Sequence, residues 1–450
     1  MIKIFLTTLL IIVFKCAING QCTWTPVGIS TGFSGGQANF TAIALDTSTG
    51  IPYVIYRDDV NGSKATVQKF NGTAWQVVGI AGFSVGQVGY CDIAIDPTGT
   101  PYVIYSNGGI TVQKFNGTSW QVVGTTGFGT NSSYTSIAID QSGIVYVAYR
   151  DYVGGVYFPV VLKFDGTSWQ DISGLYLSQD DPAYISIAVD YNGIPYIAYR
   201  DAGVGPGVAF VKKYNGTIWQ VVGGVYVSSG AADYVSIAID QSNTPYVLYM
   251  DGSNASKATC KKFNGTSWQT VGLAGFSSGQ AAFTSIAINP SGIPYVVYRN
   301  STNNATVQLF NGTNWQTVGI LGFPAVYADF TNLVIDATGT PYVVYRGSGY
   351  KANVMKYACG TATGINETNN AVDVFKLYPN PNVGVFKIEL DVFKNYQIIV
   401  SNTLGKSVYK TALNQNTTTI DINKFGTGIY FVKIIDESNS VIGVKKVIVE

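Results

Sequence analysis

Short runs of alternating β-branched, aromatic and polar residues fill most of the chain. They are broken by Gly, Asn and Asp turns, as in Tyr134-Thr135-Ser136-Ile137-Ala138-Ile139-Asp140, followed after a turn by Val145-Tyr146-Val147-Ala148-Tyr149. A period of two with this residue choice predicts strands and not helices. The pattern also repeats. Each unit passes through an aromatic-led strand ending in Asp, a Gly turn, a Pro-Tyr strand, a strand ending Lys-Phe, an Asn-Gly turn and a short Trp-Gln-Val-Val-Gly strand. Four strands per unit is the content of one propeller blade.

Trp24, Trp75, Trp120, Trp169, Trp219, Trp268 and Trp315 are all the tryptophans of the chain, spaced by 51, 45, 49, 50, 49 and 47 residues. The spacing predicts an all-β, seven-bladed β-propeller over residues 21–360. The first unit starts at its fourth strand, Trp24-Thr25-Pro26-Val27-Gly28, and the last stops after its third, Val354-Met355-Lys356-Tyr357. The N-terminal strand is therefore expected to complete the seventh blade. Aligned on the intact turn Phe70-Asn71-Gly72-Thr73-Ala74-Trp75, Cys359 takes the place of Gly72 and Cys22 that of Thr73. A Cys22–Cys359 disulfide across the closure is expected, with Cys91 and Cys260, in blades two and five, as buried free thiols.

The chain has 450 residues, a formal net charge of +1, 46% hydrophobic residues and no histidine. So small a net charge gives no field to steer a polyanion, which excludes nucleic acid and anionic membrane as expected partners. Without imidazole there is no Ser-His-Asp or Cys-His mechanism and no histidine-bound zinc. Lys3, the apolar run Ile4 to Phe14 and Ala17-Ile18-Asn19-Gly20 read as a signal peptide over residues 1–20. No stretch is long enough to span a bilayer, so a secreted, disulfide-permissive, monomeric protein is expected.

After a linker at 361–373 the text changes. Residues 374–450 carry Lys376-Leu377-Tyr378-Pro379-Asn380-Pro381, then Gly384-Val385-Phe386-Lys387-Ile388, Asn402-Thr403-Leu404-Gly405-Lys406, Gly428-Ile429-Tyr430-Phe431-Val432-Lys433 and Lys445-Lys446-Val447-Ile448-Val449-Glu450. These motifs in this order closely resemble the C-terminal sorting domain (type A) of the type IX, or Por, secretion system of Bacteroidetes. The resemblance implies a small Ig-like β-sandwich recognised by the type IX machinery, with the cargo released or fixed to the cell surface. The alternating runs separated by Asn/Gly turns agree with a sandwich.

Within the repeat, Asp46, Asp96, Asp140, Asp190, Asp240 and Asp336, with Asn289 in the sixth unit, close the inner strand. Asx-turn bonding explains a residue wanted in nearly every blade better than metal does, and no metal or other cofactor is expected. The Asn-Gly turns, as at Asn116-Gly117 and Asn264-Gly265, read as type I′ hairpins. They also spell glycosylation sequons, and the Asn-Gly-Thr-x-Trp turn resembles the Asp-box turn of sialidase propellers, which supports architecture only. No glutamate occurs between Cys22 and Gly360, so a glycosidase would need two aspartates. Asp92 is the one non-repetitive inner-strand acid, standing where other blades have Ala42, Ser136, Ser186, Ser236, Ser285 and Asn332. No catalytic residue is assigned.

All five arginines, Arg57, Arg150, Arg200, Arg299 and Arg346, occupy one repeat position after the second strand, while the other 22 basic residues are Lys. Such a position asks for a planar, forked donor. Propeller topology places it near the loops carrying Phe40, Tyr90, Tyr134, Tyr184, Tyr234, Phe283 and Phe330. One reading is bracing between blades, each Arg pairing an Asp such as Asp58, Asp151 or Asp201 or a backbone carbonyl. The other is a repeated Arg-aromatic sugar pocket with Arg57, Arg150, Arg200, Arg299, Arg346, Tyr134, Tyr184 and Tyr234 as ligand contacts. The layout looks like that of fucose-binding and tectonin-type propeller lectins, without a diagnostic motif of either. Blades two and five, with Ser106 and Met250 there, would lack the pocket. The expected function is a non-catalytic, glycan-binding or surface-adhesion module, ahead of a protein-interaction scaffold and a polysaccharide-active enzyme.

Overall fold

The computed structural model describes residues 22–174, 177–178, 181–320, 322–323, 327–359, 375–390, 396–402, 407–413, 415–436 and 441–450. The expected signal peptide at 1–20, the linker at 361–373 and Thr403 to Lys406 of the tail motif lie outside these residues. Two compact units are present, Met1–Thr361 and Ala362–Glu450.

The first unit consists of seven four-stranded antiparallel sheets. Blade 1 is typical: Ala38–Leu45, Pro52–Asp58, Lys64–Phe70 and Trp75–Val77, from the axis outward. The innermost strands of blades 2 to 7 are Gly89–Ile95, Ser133–Ile139, Pro182–Val189, Ala232–Ile239, Ala282–Ile288 and Asp329–Ile335. Each packs on the innermost strand before and after it, and the seventh packs on the first. The ring is closed as expected: Cys22–Pro26 pairs with Ala352–Cys359 as the outermost strand of blade 7. Cys22 stands opposite Cys359 in that register and is itself disulfide-bonded, while Cys91 and Cys260 are buried free thiols.

Apolar clusters fill the seams between blades. Val27, Val344 and Val354 of blade 7, for instance, pack with Ile43, Val54 and Tyr56 of blade 1. The repeated tryptophan links neighbours. Every indole N–H donates to the main-chain carbonyl three residues after the Trp of the preceding blade, from Trp75 to Val27 and around to Trp24 on Val318, at 2.7–2.9 Å. The glycine that ends the motif clears space for it. At Gly124, with φ +70°, a Cβ would lie 2.6 Å from the Trp169 ring.

All seven Asx turns form, with Oδ1 of Asp46, Asp96, Asp140, Asp190, Asp240, Asn289 and Asp336 accepting the N–H two residues on at 2.8–3.0 Å. The Asn-Gly turns differ from the expected type I′, which needs two left-handed residues. Gly72 has φ +97° but Asn71 is not left-handed, and its Oδ1 accepts the N–H groups of both Thr73 and Ala74 at 2.9 and 2.8 Å. The side chain stands in for a main-chain carbonyl, and Asn116 and Asn264 do the same.

The second unit is a two-sheet sandwich. Phe375–Tyr378, Val385–Leu390 and Thr417–Asp421 form one sheet; Ser407–Leu413, Tyr396–Asn402, Gly428–Ile435 and Val441–Val449 form the other. Phe375, Phe386, Ile388, Val400, Ile434 and Val447 are among the residues of its core. Two tail motifs have visible jobs. Asn380 bonds Lys446 and Ile448 of the last strand, and the Tyr430 hydroxyl donates to the carbonyls of Phe425 and Gly426, the hydrogen-bonding habit of a tyrosine corner.

Candidate functional site, an aromatic collar behind an arginine belt

Every inner strand carries a bulge at one place, between Asn39 and Ala42 in blade 1 and at the equivalent position of the other six. The aromatic residue sits in that bulge. Phe40, Tyr90, Tyr134, Tyr184, Tyr234, Phe283 and Phe330 all have φ between +44° and +53°, a left-handed conformation that costs a bulky side chain about 1–2 kcal/mol. The bulge re-aims each ring toward the axis. The seven rings close a collar, with neighbouring centroids 4.9–5.3 Å apart and planes tilted 41–58°.

Six of the seven line an axial cavity of about 390 Å³, Tyr134 being the exception. Below the collar runs a ring of polar residues that stitches the blades together. Ser136, Ser186, Ser236, Ser285 and Asn332 each accept a backbone N–H from the next blade at 3.2–3.3 Å. Ala42 cannot do so for blade 2, and this gap explains Asp92. One carboxylate oxygen accepts the N–H of Ile93 at 2.9 Å, which Ala42 leaves without a partner, and the other accepts Ile137 N–H of blade 3 at 3.1 Å. Burial outweighs these bonds and a further one from Ser136, and pushes the carboxyl up to about 6. Asp92 is the only acid lining the cavity among the described residues. Cys91 replaces a threonine hydroxyl in a second stitch, its thiol donating to Phe40 O at 3.0 Å as Thr41 does to Phe330 O at 2.8 Å.

The five arginines lie on the collar face, as expected, and four stack on the collar ring of their own blade. Arg57, Arg150, Arg299 and Arg346 sit 5.5, 4.8, 4.9 and 4.9 Å from the centroids of Phe40, Tyr134, Phe283 and Phe330. Their carboxylate partners are not the ones the sequence suggested. Arg150 reaches Asp181 at 3.0 Å and Arg200 reaches Asp233 at 2.6 Å, both in the next blade's entry. Arg299 and Arg346 share Asp329, Arg346 also donates to Asn39, and Asn39 and Arg57 both bond Asp59. A continuous belt thus runs over blades 6, 7 and 1. Asp58 and Asp151 serve their own loops, accepting from Asn61 and Thr66 and from Thr130 and Ser132, and Asp201 accepts from Ser178. Asp233 and Asp329 directly precede a collar aromatic in the blade after an arginine, a signal present in the sequence but invisible without the blade-to-blade register.

The collar is not uniform. Tyr134 has the Tyr90 phenol and the Arg150 guanidinium beside it, whereas the hydroxyls of Tyr184 and Tyr234 make no hydrogen bond among the described residues. Burial raises the phenols of Tyr134, Tyr184 and Tyr234 above their ordinary range, so all three are neutral donors at physiological pH. Phe283, Phe330 and Phe40 make the opposite arc wholly apolar.

Residues 376–450 match the family described as the secretion system C-terminal sorting domain, so the second unit is a sorting domain and the chain is exported to the cell surface or beyond. No helix among the described residues is long and apolar enough to cross a membrane. No curated protein matches the chain in sequence. Among solved structures it is similar to PorZ, an essential surface component of the type IX secretion system of Porphyromonas gingivalis. That likeness has 14% identity and a TM-score of 0.50, and covers 94% of this chain and 60% of PorZ, so the chain spans less than two thirds of PorZ's length. It is also similar to the Aleuria aurantia lectin bound to α-methyl-L-fucoside (15% identity, TM-score 0.44, 66% of this chain and 99% of that one). A third is an ulvan lyase of polysaccharide lyase family PL25 (13%, 0.48, 74% and 96%). The first likeness shows the fold alone, and the other two carry nothing further.

Proposed function

We propose that the propeller is a secreted, non-catalytic binding module for glycans, presented on or beyond the cell surface and using the collar face. The observation that carries this reading is the sevenfold aromatic collar held in a strained backbone conformation over a cavity of about 390 Å³, since strain kept at every repeat marks a surface maintained for contact. Aromatic faces take the C–H surface of sugar rings, and phenols and hydroxyls serve their oxygens. The arginines act mainly as braces, because each fork is engaged with an acid or amide of its own or the next blade. The single acid at the cavity has both oxygens committed to main-chain N–H groups, which supports binding over glycosidic acid/base chemistry, where two carboxyls are needed.

A glycan array probed with the purified secreted chain tests this. Retention of specific glycans, abolished when Phe40 and Phe330 are both replaced by Leu in a chain of unchanged circular dichroism, is the expected result. A folded chain that retains no glycan overturns it, and time-dependent depolymerisation of an array polysaccharide would favour the enzyme instead.

A further inference from the structure

Four residues with oxygen donors line one side of the axial cavity. Tyr184 and Ser186 belong to blade 4, Tyr234 and Ser236 to blade 5, and all four line the cavity. Each serine hydroxyl accepts one backbone N–H and keeps its own hydrogen without an acceptor among the described residues. The two phenols make no hydrogen bond there, with the Asp233 carboxylate near both. Half-buried hydroxyls that line one side of a cavity and spend no hydrogen on the protein are available to the oxygens of a polar ligand. In a ring of seven, the blade facing the junction of blades 4 and 5 is blade 1, so Phe40 stands across the mouth, flanked by Phe330.

Size narrows the occupant. Seven centroids about 5 Å apart enclose a ring about 12 Å across, and subtracting the thickness of the aromatic rings leaves an opening of roughly 5–8 Å. An α-helix, about 10–12 Å wide with its side chains, does not pass. A single sugar ring does. Asp92 in the throat adds negative charge near neutral pH and stands against uronic or sulfated residues there.

Resting on the glycan reading above, we propose that the propeller binds one polysaccharide chain end-on: a neutral terminal sugar enters the collar, its C–H face against Phe40 and Phe330 and its hydroxyls on Tyr184, Tyr234, Ser186 and Ser236. The site is single and axial, in place of the several inter-blade pockets that the repeat suggested. The arginine belt holds the apolar arc in place from behind, and the rest of the glycan chain leaves along the axis into solvent.

The test is isothermal titration of the full secreted chain with neutral gluco-, manno-, xylo- and galacto-oligosaccharides of four to six residues. Each is also immobilised separately through its reducing and its non-reducing end. The expected outcome is one site per chain, with binding lost when one particular end is blocked. Tyr184→Phe and Tyr234→Phe should each weaken binding roughly five- to tenfold without changing the melting temperature, because neither phenol supports the fold and Phe occupies this position in three blades. Several equivalent sites per chain, indifference to which end is blocked, or full affinity in the Tyr184→Phe/Tyr234→Phe double variant would overturn the axial site and leave the glycan reading standing. Absence of binding to every oligosaccharide and to the array would overturn both.

Discussion

Asp329 holds two guanidiniums while its side chain is 4% exposed, whereas Arg57 and Asp59 keep 29% and 27% exposure. Burial decides what each is worth. Asp329→Asn should cost about 3 kcal/mol in chemical denaturation, since it leaves two charges uncompensated in the belt. Asp59→Asn should cost less than about 1 kcal/mol in the same measurement. Asp92 gives a different signature. Its carboxyl is raised to about 6 when folded, against an ordinary value near 4, so the folded state holds a proton that the unfolded state gives up. Stability from this group is full below about pH 4 and declines as pH rises to about 6. In thermal melts from pH 4 to 7, Asp92→Asn should therefore gain on the wild type as pH rises. A difference independent of pH would contradict the raised value.

The blade is legible because its markers report local chemistry. Trp, Asn-Gly and Asp each recur where a turn or a seam needs them, and the count of seven, the closing strand and the Asx turns follow from spacing. What the text conceals is whatever depends on the neighbour. Arginine partners lie one blade away, the N–H served by Asp92 is exposed only because Ala42 lacks an oxygen, and the collar exists because a bulge turns each aromatic toward the axis. The turn type is hidden for a related reason, since nothing in Asn-Gly says that the Asn oxygen will stand in for a carbonyl. The Trp seam makes its own prediction. Trp219→Phe keeps one aromatic ring but removes the pyrrole half of the indole and with it the donor to Ile172 O, which it meets at 2.7 Å, and should lower stability by about 1–3 kcal/mol in urea unfolding with the propeller intact.

For the whole molecule, closure is the weak point, because one short strand and the seam beneath it hold the ring shut. Cys22 is bonded, and Cys359 stands opposite it in the register. Peptide mapping should find these two joined, and Cys359→Ser should remove about 3–5 kcal/mol by freeing a very long loop in the unfolded chain, with the fold retained. A chain cut after residue 373 should fold as a propeller and fail to reach the medium. Its secretion would contradict a sorting role for the second unit.

That seam also orders events in time. Thr25 and Lys356, which meet in it, are 331 residues apart, so at ordinary synthesis rates the first strand waits about 15–65 seconds for its partner. Until then Cys22–Pro26 is an open edge and the ring is an arc. The sorting unit is made later still. A chain whose synthesis stops before Ala352–Cys359 therefore lacks both its closing partner and its export label, so such unfinished rings are withheld from the surface by the order of the sequence itself.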